Sequence, residues 1–417
     1  MSVRGDQLGT MDTAAARQLR AYRRVPAPLG LVVFLAQIGL GIALFAVFQQ
    51  YVPEGLGAGD GWGGYLLGMY GGARFLCETP TGALADRLRR RSALLVGFIF
   101  LLPAMGAMAA VDEPAIFIGL AALLGLGTAF IWPAAYAICA DLYPAEQRGK
   151  VIGFLNLCQL LGFGLGALIG ALLVDHHPTA MIVVGIATIA GAACVGSIGI
   201  PAYDSGAVVA NRERRPALRE VWSGQMAGLC ALVLVATTAV AMLVPAIRVF
   251  GNEQLDISFA KLTIALIPAV FLGAALYIPA GHAADRFGRT APFLAGQVLL
   301  VVGLLTVSET RSVGVAAVAA GVIFAGNVFS VPAFNAAVMD LAPESHRGTI
   351  IGLTVALSGL GLAVGPAVGG AIAGSYGAPA VFRLAALVSG VAGVGIYAYS
   401  RRYGARQPVR AAPVRSS

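Results

Sequence analysis

The sequence is poor in charge. Asp, Glu, Lys and Arg make up 12% of the 417 residues, about half of the roughly 25% that soluble domains carry. Hydrophobic residues account for 58%, and the mean hydropathy is +0.82. A water-soluble fold of this length keeps roughly a quarter of its unfolded surface wet, so it could not hide this much apolar surface. The composition predicts an integral membrane protein and excludes the soluble enzyme classes.

Lysine is nearly absent, with two residues against 26 arginines, and the net charge is +8. A basic chain can bind nucleic acid. However, 23 of the 28 basic residues lie in the termini, a central linker and alternate loops between apolar runs. By the positive-inside rule, that distribution sets the orientation in the membrane. We therefore expect no nucleic-acid partner, cytoplasmic termini, and a location in the inner (cell) membrane of a bacterial-type cell.

Motifs for several chemistries are missing. The five cysteines show no CxxC spacing, which is typical of small membrane-helix residues and not of a disulfide framework. No Gly-x4-Gly-Lys-Ser/Thr loop exists, so the chain does not hydrolyse ATP by itself. His176 and His177 beside Asp175 lack a third ligand and are interpreted as solvated loop residues. We expect no metal, no cofactor and no enzymatic activity.

Apolar runs about as long as a membrane is thick are abundant. Twelve are predicted, six on each side of a polar, arginine-rich stretch. They divide the chain into an N-terminal tail (1–28), a six-helix bundle (29–200), a cytoplasmic linker (201–225), a second six-helix bundle (226–399) and a basic tail (400–417). The runs cover 29–51, 62–84, 92–111, 114–139, 150–174, 179–200, 226–250, 261–283, 291–309, 312–338, 349–374 and 378–399.

The two bundles repeat with a constant offset of 199 residues. Six spans per repeat is an even number, so both halves take the same orientation, and the cleft between them is the architecture expected for alternating access. Pro80, Gly82, Asp86, Arg87, Arg90, Asp141, Arg148, Gly162, Gly166 and Gly170 recur as Pro279, Gly281, Asp285, Arg286, Arg289, Asp340, Arg347, Gly361, Gly365 and Gly369.

These motifs carry a resemblance. The segment 82–91 resembles the signature loop between helices 2 and 3 of the major facilitator superfamily, and 281–289 resembles its second copy between helices 8 and 9. The Asp-x-x-Pro-x-x-x-Arg-Gly elements that follow helices 4 and 10 are also typical of that family. The resemblance covers essentially the whole chain. It implies an all-α integral membrane fold of twelve transmembrane helices, arranged as two parallel six-helix repeats.

The resemblance further implies latches at the cytoplasmic mouth. Asp86 and Asp285 would face helix N-termini of the opposite half, while Arg90 and Arg289 would reach aspartates at the ends of helices 4 and 10. In the alternative interpretation, these cationic loops only orient the chain. The predicted latch residues are Gly82, Asp86, Arg87, Arg90, Asp141, Arg148, Gly281, Asp285, Arg286, Arg289, Asp340 and Arg347.

One position departs from the family pattern. The first copy of the loop has Arg89 where the family usually has glycine, and the second copy keeps Gly288. If the turn needs a positive φ, either Arg89 is strained or the turn differs.

Arg74 and Glu78 are charged positions inside the second apolar run. Their i, i+4 spacing places them on one helix face, and a charge at this depth is usually paired or functional. The pair is interpreted either as a structural ion pair or as a proton-coupling site with Glu78 as the carrier. The repeat-related residues are Gly273 and Tyr277, so twofold architecture alone does not require the pair.

The glycine pattern of family antiporters, Gly-x-x-x-Gly-Pro-x-x-Gly-Gly, occurs on helix 11 and not on helix 5. Helix 5 has Ala167 and Ala171 at two of its positions. Small residues at this spacing mainly permit close helix packing. The arginine that is usual on helix 4 of proton-driven drug exporters is also missing, which weakens the case for drug export.

In this family, helices 1, 4, 7 and 10 line the substrate cavity. For any single polar candidate there, an interhelical hydrogen bond is favoured over a contact with substrate. The candidates on these helices are Gln37, Trp132, Tyr136, Thr237, Thr238, Asn327 and Asn335, and Asn156 and Gln159 lie nearby on helix 5.

Taken together, the sequence favours a monomeric secondary active transporter in the lipid bilayer. Because these helices carry few charges, the substrate is expected to be a small amphipathic or weakly cationic drug or metabolite, exported in exchange for protons. Proton-coupled or facilitative uptake of a small metabolite is an alternative. A non-transporting membrane sensor or a lipid-handling scaffold is an alternative of another class.

Overall fold

The computed structural model of the chain describes residues 25–59, 61–142, 145–200, 224–288, 290–341 and 347–403. These residues form helices joined by short connections, and no β-strand occurs among them. Ten helices of the described part are long and apolar enough to cross a membrane, which confirms the all-helical membrane class.

The twelve helical segments of the described residues are numbered in chain order. α1 and α7 each end in a π-helical stretch, and α7 has a break at Met242. The helices are α1 (Pro26–Gly41, continued by π-helical Ile42–Gly55), α2 (Trp62–Arg87), α3 (Arg90–Met108), α4 (Pro114–Leu142), α5 (Ala145–Leu173), α6 (Pro178–Gly199), α7 (Gly224–Ala241, Leu243–Val249 and π-helical Phe250–Gln254), α8 (Phe259–Phe287), α9 (Thr290–Glu309), α10 (Val313–Leu341), α11 (Arg347–Tyr376) and α12 (Ala378–Tyr403).

Successive helices run in opposite directions, which gives the bundle two distinct ends. The end that holds Val25 and Tyr403 is called the terminal side, and the opposite end the distal side. On the terminal side, Gly199 at the end of α6 lies against Pro28 at the start of α1. On the distal side, Gly61 before α2 lies next to Gly374 near the end of α11.

Two large apolar cores lie among the described residues. The larger core is built from buried residues of α1 to α6, and the second from buried residues of α7 to α12. Leu362 of α11 and Val244 of α7 also pack against the first core, so the two halves touch.

The repeated glycines hold helices together within each half. Gly162, Gly166 and Gly170 bring α5 onto α1, and their counterparts on α11 pack against α7. A Cβ at Gly166 would lie 2.1 Å from the carbonyl oxygen of Ile38, and a Cβ at Gly369 would lie 2.2 Å from that of Met242. Close backbone approach of this kind drives helix association in lipid. The packing interpretation of these glycines is therefore supported.

The additional residues of the helix 11 pattern make contacts between the halves. A Cβ at Gly64 of α2 would lie 2.3 Å from the carbonyl oxygen of Pro366 and 2.7 Å from the Cα of Gly370. The repeat-related contact, between α5 and α8, is less extensive, and α5 has Ala167 and Ala171 at those two positions. The pattern is therefore complete on the helix that approaches the other half more closely.

We predict that Gly166→Val destabilises the protein by about 1–3 kcal/mol, because the larger side chain would force α5 away from α1. The measurement is the melting temperature in detergent. Gly164→Val is the matched control, since a Cβ at Gly164 meets nothing within 4 Å. Equal melting temperatures for the two variants would contradict the packing role.

Candidate transport pathway

An ion pair lies on one face of α2. Arg74 Nη2 is 3.6 Å from Glu78 Oε1, and the two side chains are 21% and 16% exposed, as their spacing predicts. Tyr70, one turn before Arg74 and buried, shares a side-chain hydrogen bond with it. The Nε atom of Arg74 is buried and has no hydrogen-bond partner within the part of the chain that the structure describes. A buried donor without a partner is uncommon in native proteins, so this guanidinium has capacity for a further ligand.

The ion pair lies where α2 packs between α4 and α11. On the α4 side, a Cβ at Gly125 would lie 2.3 Å from the carbonyl oxygen of Tyr70, and Thr81 Oγ1 donates to the carbonyl oxygen of Ala129 at 2.9 Å. On the α11 side, Gly359 lies 3.5 Å from Phe75, measured from a built Cβ. Arg74 and Glu78 are thus on a helix that contacts both halves.

A second group of charges, which the sequence analysis missed, joins the two halves on the distal side. Arg248 Nη1 on α7 pairs with Glu54 Oε1 at the end of α1, and Asn252 Nδ2 donates to the same oxygen at 2.5 Å. The sequence signal was an arginine inside an apolar run. Its partner lies 194 positions away and could not be found from spacing.

Three of the predicted cavity residues come together. The rings of Trp132 and Tyr136 on α4 are 5.4 Å apart, tilted by 36°. Tyr136 Oη donates to Asn156 Oδ1 on α5 at 3.4 Å. Trp132 is buried, whereas Tyr136 is 38% exposed. The cluster presents an aromatic face with a polar edge.

Other cavity candidates lie at helix contacts. Thr237 Oγ1 and Thr238 Oγ1 donate to carbonyl oxygens of their own helix, at 2.8 and 2.7 Å, and Gly361 packs against both residues. Gln37 is buried beside Gly162. These three residues are therefore engaged in α7–α11 and α1–α5 packing. Gln159 and Asn327 are half-buried, and the side chain of Asn335 lies outside the described residues.

The predicted latches are described only in part. Arg90 is buried, with 1% exposure, and Arg286 lies over the ring of Phe287 at 5.4 Å. The remaining latch positions fall outside the described side chains, so their contacts stay predictions: Gly82, Asp86, Arg87, Asp141, Arg148, Gly281, Asp285, Arg289, Asp340 and Arg347.

The two copies of the signature loop turn differently. Gly288 has φ 79° and ψ 172°, a region that is essentially restricted to glycine. Arg89 has φ −61° and ψ 134°, which is ordinary extended backbone. The first copy therefore avoids strain by a different turn, which resolves the two possibilities that the sequence left open.

Two further features bear on ligands. No cluster of three or more His, Cys, Asp or Glu residues occurs in the residues described, and His176 and His177 are exposed. An apolar groove of about 440 Å³ lies among α7, α11 and α12, lined by Leu234, Val235, Thr238, Leu360, Val364, Leu387, Val388 and Val391. It belongs to the second half alone.

Comparisons with known proteins agree with this architecture. The family model described as Major Facilitator Superfamily matches residues 29–278 and 229–416. Human solute carrier family 67 member A1 is 24% identical over 84% of this chain and 87% of its own length. Multidrug resistance protein MdtH of Klebsiella pneumoniae is 25% identical over 74% and 77%. The crystal structure of a bacterial homologue of the human lysosomal transporter Spinster, inward-facing and unoccupied, superposes with a TM-score of 0.75. The superposition covers 94% of this chain and 99% of the Spinster homologue, and the two sequences are 15% identical.

We predict that Gly288→Ala lowers stability by about 1–3 kcal/mol, because alanine disfavours the backbone conformation at this turn. Arg89→Ala, at the repeat-related position with an ordinary φ, is the control and should have little effect on the backbone. Thermal unfolding in detergent compares the two. A Gly288→Ala variant as stable as the control would show that the turn tolerates a side chain.

Proposed function

The chain belongs to the major facilitator superfamily, whose members are transporters and not enzymes, and we propose that it exports a small amphipathic or weakly cationic compound in exchange for protons. The established part is a multi-pass membrane transporter with a small-molecule substrate. The substrate, the direction and the coupling ion are proposed from the site.

The proposed topology has twelve spans, with the terminal side in the cytoplasm of a bacterial-type cell. Residues 29–200 and 226–399 form the two bundles and 201–225 the cytoplasmic linker, in a monomer of the inner membrane. The distribution of arginine supports this orientation. The distal side would then face outward, and the signature loops would act as latches on the cytoplasmic side.

The Arg74–Glu78 pair carries the coupling proposal. At 3.6 Å, charges in a poorly polarisable interior attract each other more strongly than in water. Protonation of Glu78 removes that attraction and makes the guanidinium, whose Nε has no hydrogen-bond partner among the described residues, available to another ligand. Because α2 packs against α11 of the second half, a change at this pair reaches the interface between the halves.

The cavity supports an amphipathic or weakly cationic substrate. Trp132, Tyr136 and Asn156 offer aromatic faces with a hydroxyl and an amide, and aromatic faces attract cations. The apolar groove among α7, α11 and α12 is the kind of opening that a lipid-handling protein would need. It lies within one half, and alternating access requires a site between the halves. The groove is therefore not the substrate site of the proposed alternating-access cycle.

Export, as the direction, is supported by the relative named a multidrug resistance protein. The test is uptake of a substrate panel into everted membrane vesicles, with and without an imposed gradient. Uptake that appears only with an inside-acid gradient is the expected result. Uptake without dependence on any gradient would indicate facilitative transport and contradict proton coupling.

We predict that Glu78→Gln abolishes proton-gradient-driven flux but leaves substrate counterflow in proteoliposomes, because exchange of substrate for substrate requires no proton to be released. Glu309→Gln is the matched control. It breaks another ion pair, Arg383–Glu309 at 2.8 Å, which is exposed and lies within one half.

The two measurements separate the interpretations of the pair. Undiminished gradient-driven flux in Glu78→Gln would contradict the carrier role. Loss of both flux and counterflow, with normal folding, would indicate a structural ion pair. Expression level and melting temperature of both variants verify that they fold.

A further inference from the structure

We propose that Glu54, Arg248 and Asn252 form a gate on the distal side, which holds the two halves together in this conformation and must open in each transport cycle. The three residues are called the distal gate. The inference uses the membership of the transporter family and does not depend on proton coupling or on the direction of transport.

The gate spans the two halves. Glu54 is the last residue but one of the π-helical part of α1, while Arg248 and Asn252 lie one turn apart on α7. Both donors reach the same carboxylate oxygen, Oε1 of Glu54. Hydrogen bonds to an ionised group are stronger and more directional than neutral ones. The gate is therefore an ionic link with a defined geometry between the first and second halves.

The two charged side chains of the link differ in burial. The side chain of Arg248 is 4% exposed, whereas that of Glu54 is 40% exposed. Breaking a buried ion pair by removal of one partner is destabilising, and loss of Glu54 removes the ionised partner that Arg248 has in the first half. In a distal-open state, water would reach Arg248 instead. Loss of Glu54 therefore destabilises the closed arrangement more than the open one.

Neighbouring contacts close the same side. The rings of Phe45 on α1 and Phe259 on α8 are 4.9 Å apart, and Gly64 packs against Gly370. These contacts are apolar or between backbones, and they join the two halves independently of the ionic link.

The gate is not a by-product of the internal repeat. The repeat-related residue of Arg248 is Gln49, and that of Glu54 is Glu253. Gln49 Nε2 donates to the carbonyl oxygen of Gly63 at 3.2 Å, within its own half, and Glu253 is exposed. The sequence places an arginine at only one of the two equivalent positions, so the pair is a specific addition to the twofold architecture.

The π-helical ends of α1 and α7 support a functional role. Ile42–Gly55 and Phe250–Gln254 are both π-helical, and residues 250–254 correspond to 51–55 in the repeat. π-Helical turns are rare and occur often at functional sites. They place Glu54 and Asn252 at the distal ends of the two helices that meet there.

The test is the distance between the halves on the distal side, measured by pulsed electron paramagnetic resonance. Spin labels at Glu113 and Ser312, which are exposed loop positions related by the repeat, are introduced into a cysteine-free protein in lipid nanodiscs. Glu54→Gln and Arg248→Met should each raise the ratio of long-distance to short-distance populations by about tenfold, as expected for the loss of a charge-assisted hydrogen bond.

Two variants make the result specific. The charge exchange Glu54→Arg with Arg248→Glu should restore most of the short-distance population. Glu309→Gln, which breaks an ion pair inside the second half, should leave the distribution unchanged.

Unchanged distances in Glu54→Gln, a shift of similar size in Glu309→Gln, or no recovery on charge exchange would each overturn the proposal. Glu54→Gln is nearly isosteric at a partly exposed position, so the test stands even if Arg248→Met fails to fold. No substrate or proton gradient is needed, so a failure of the proposed export function leaves this result interpretable.

Discussion

The contact between α2 and α11 is the interaction on which the rest of the arrangement depends. In a bilayer, helices gain little from burying apolar side chains against each other, because lipid is equally apolar, and close backbone packing takes over. Gly64, Pro366 and Gly370 allow that packing across the two halves. The same helix α2 carries Arg74 and Glu78. The charged site and the contact between the halves therefore lie on one helix.

Charge is scarce in this protein, and little of it lies within the apolar runs. Most arginines lie in the segments between those runs and in the tails. One pair lies within α2. Another joins the halves through Glu54 and Arg248. Charges inside an apolar medium are costly unless they are paired, and Arg74 and Arg248 each have a carboxylate partner. Both pairs lie on helices that contact the opposite half.

Much of the fold was predictable from local sequence. Apolar runs located the helices because each helix satisfies its own backbone hydrogen bonds and must match the thickness of the bilayer. Arg74 and Glu78 were predicted to meet because residues four apart share a helix face. That Tyr136 and Asn156 lie close to each other followed less directly, from the resemblance to a known family. The turn at Arg89 was left open, since a family pattern does not specify the φ angle of a substituted residue.

The sequence by itself determined the class of the protein, its internal repeat and the face of α2 on which the charges lie, because these depend on composition and on separations of a few residues. Only the tertiary structure decided which distant residues meet. The Glu54–Arg248 link joins positions 194 residues apart, and the role of Gly370 is defined by Gly64 in the other half. Such contacts depend on how two bundles dock, and docking is set by the shapes of whole helix surfaces, which no local pattern encodes.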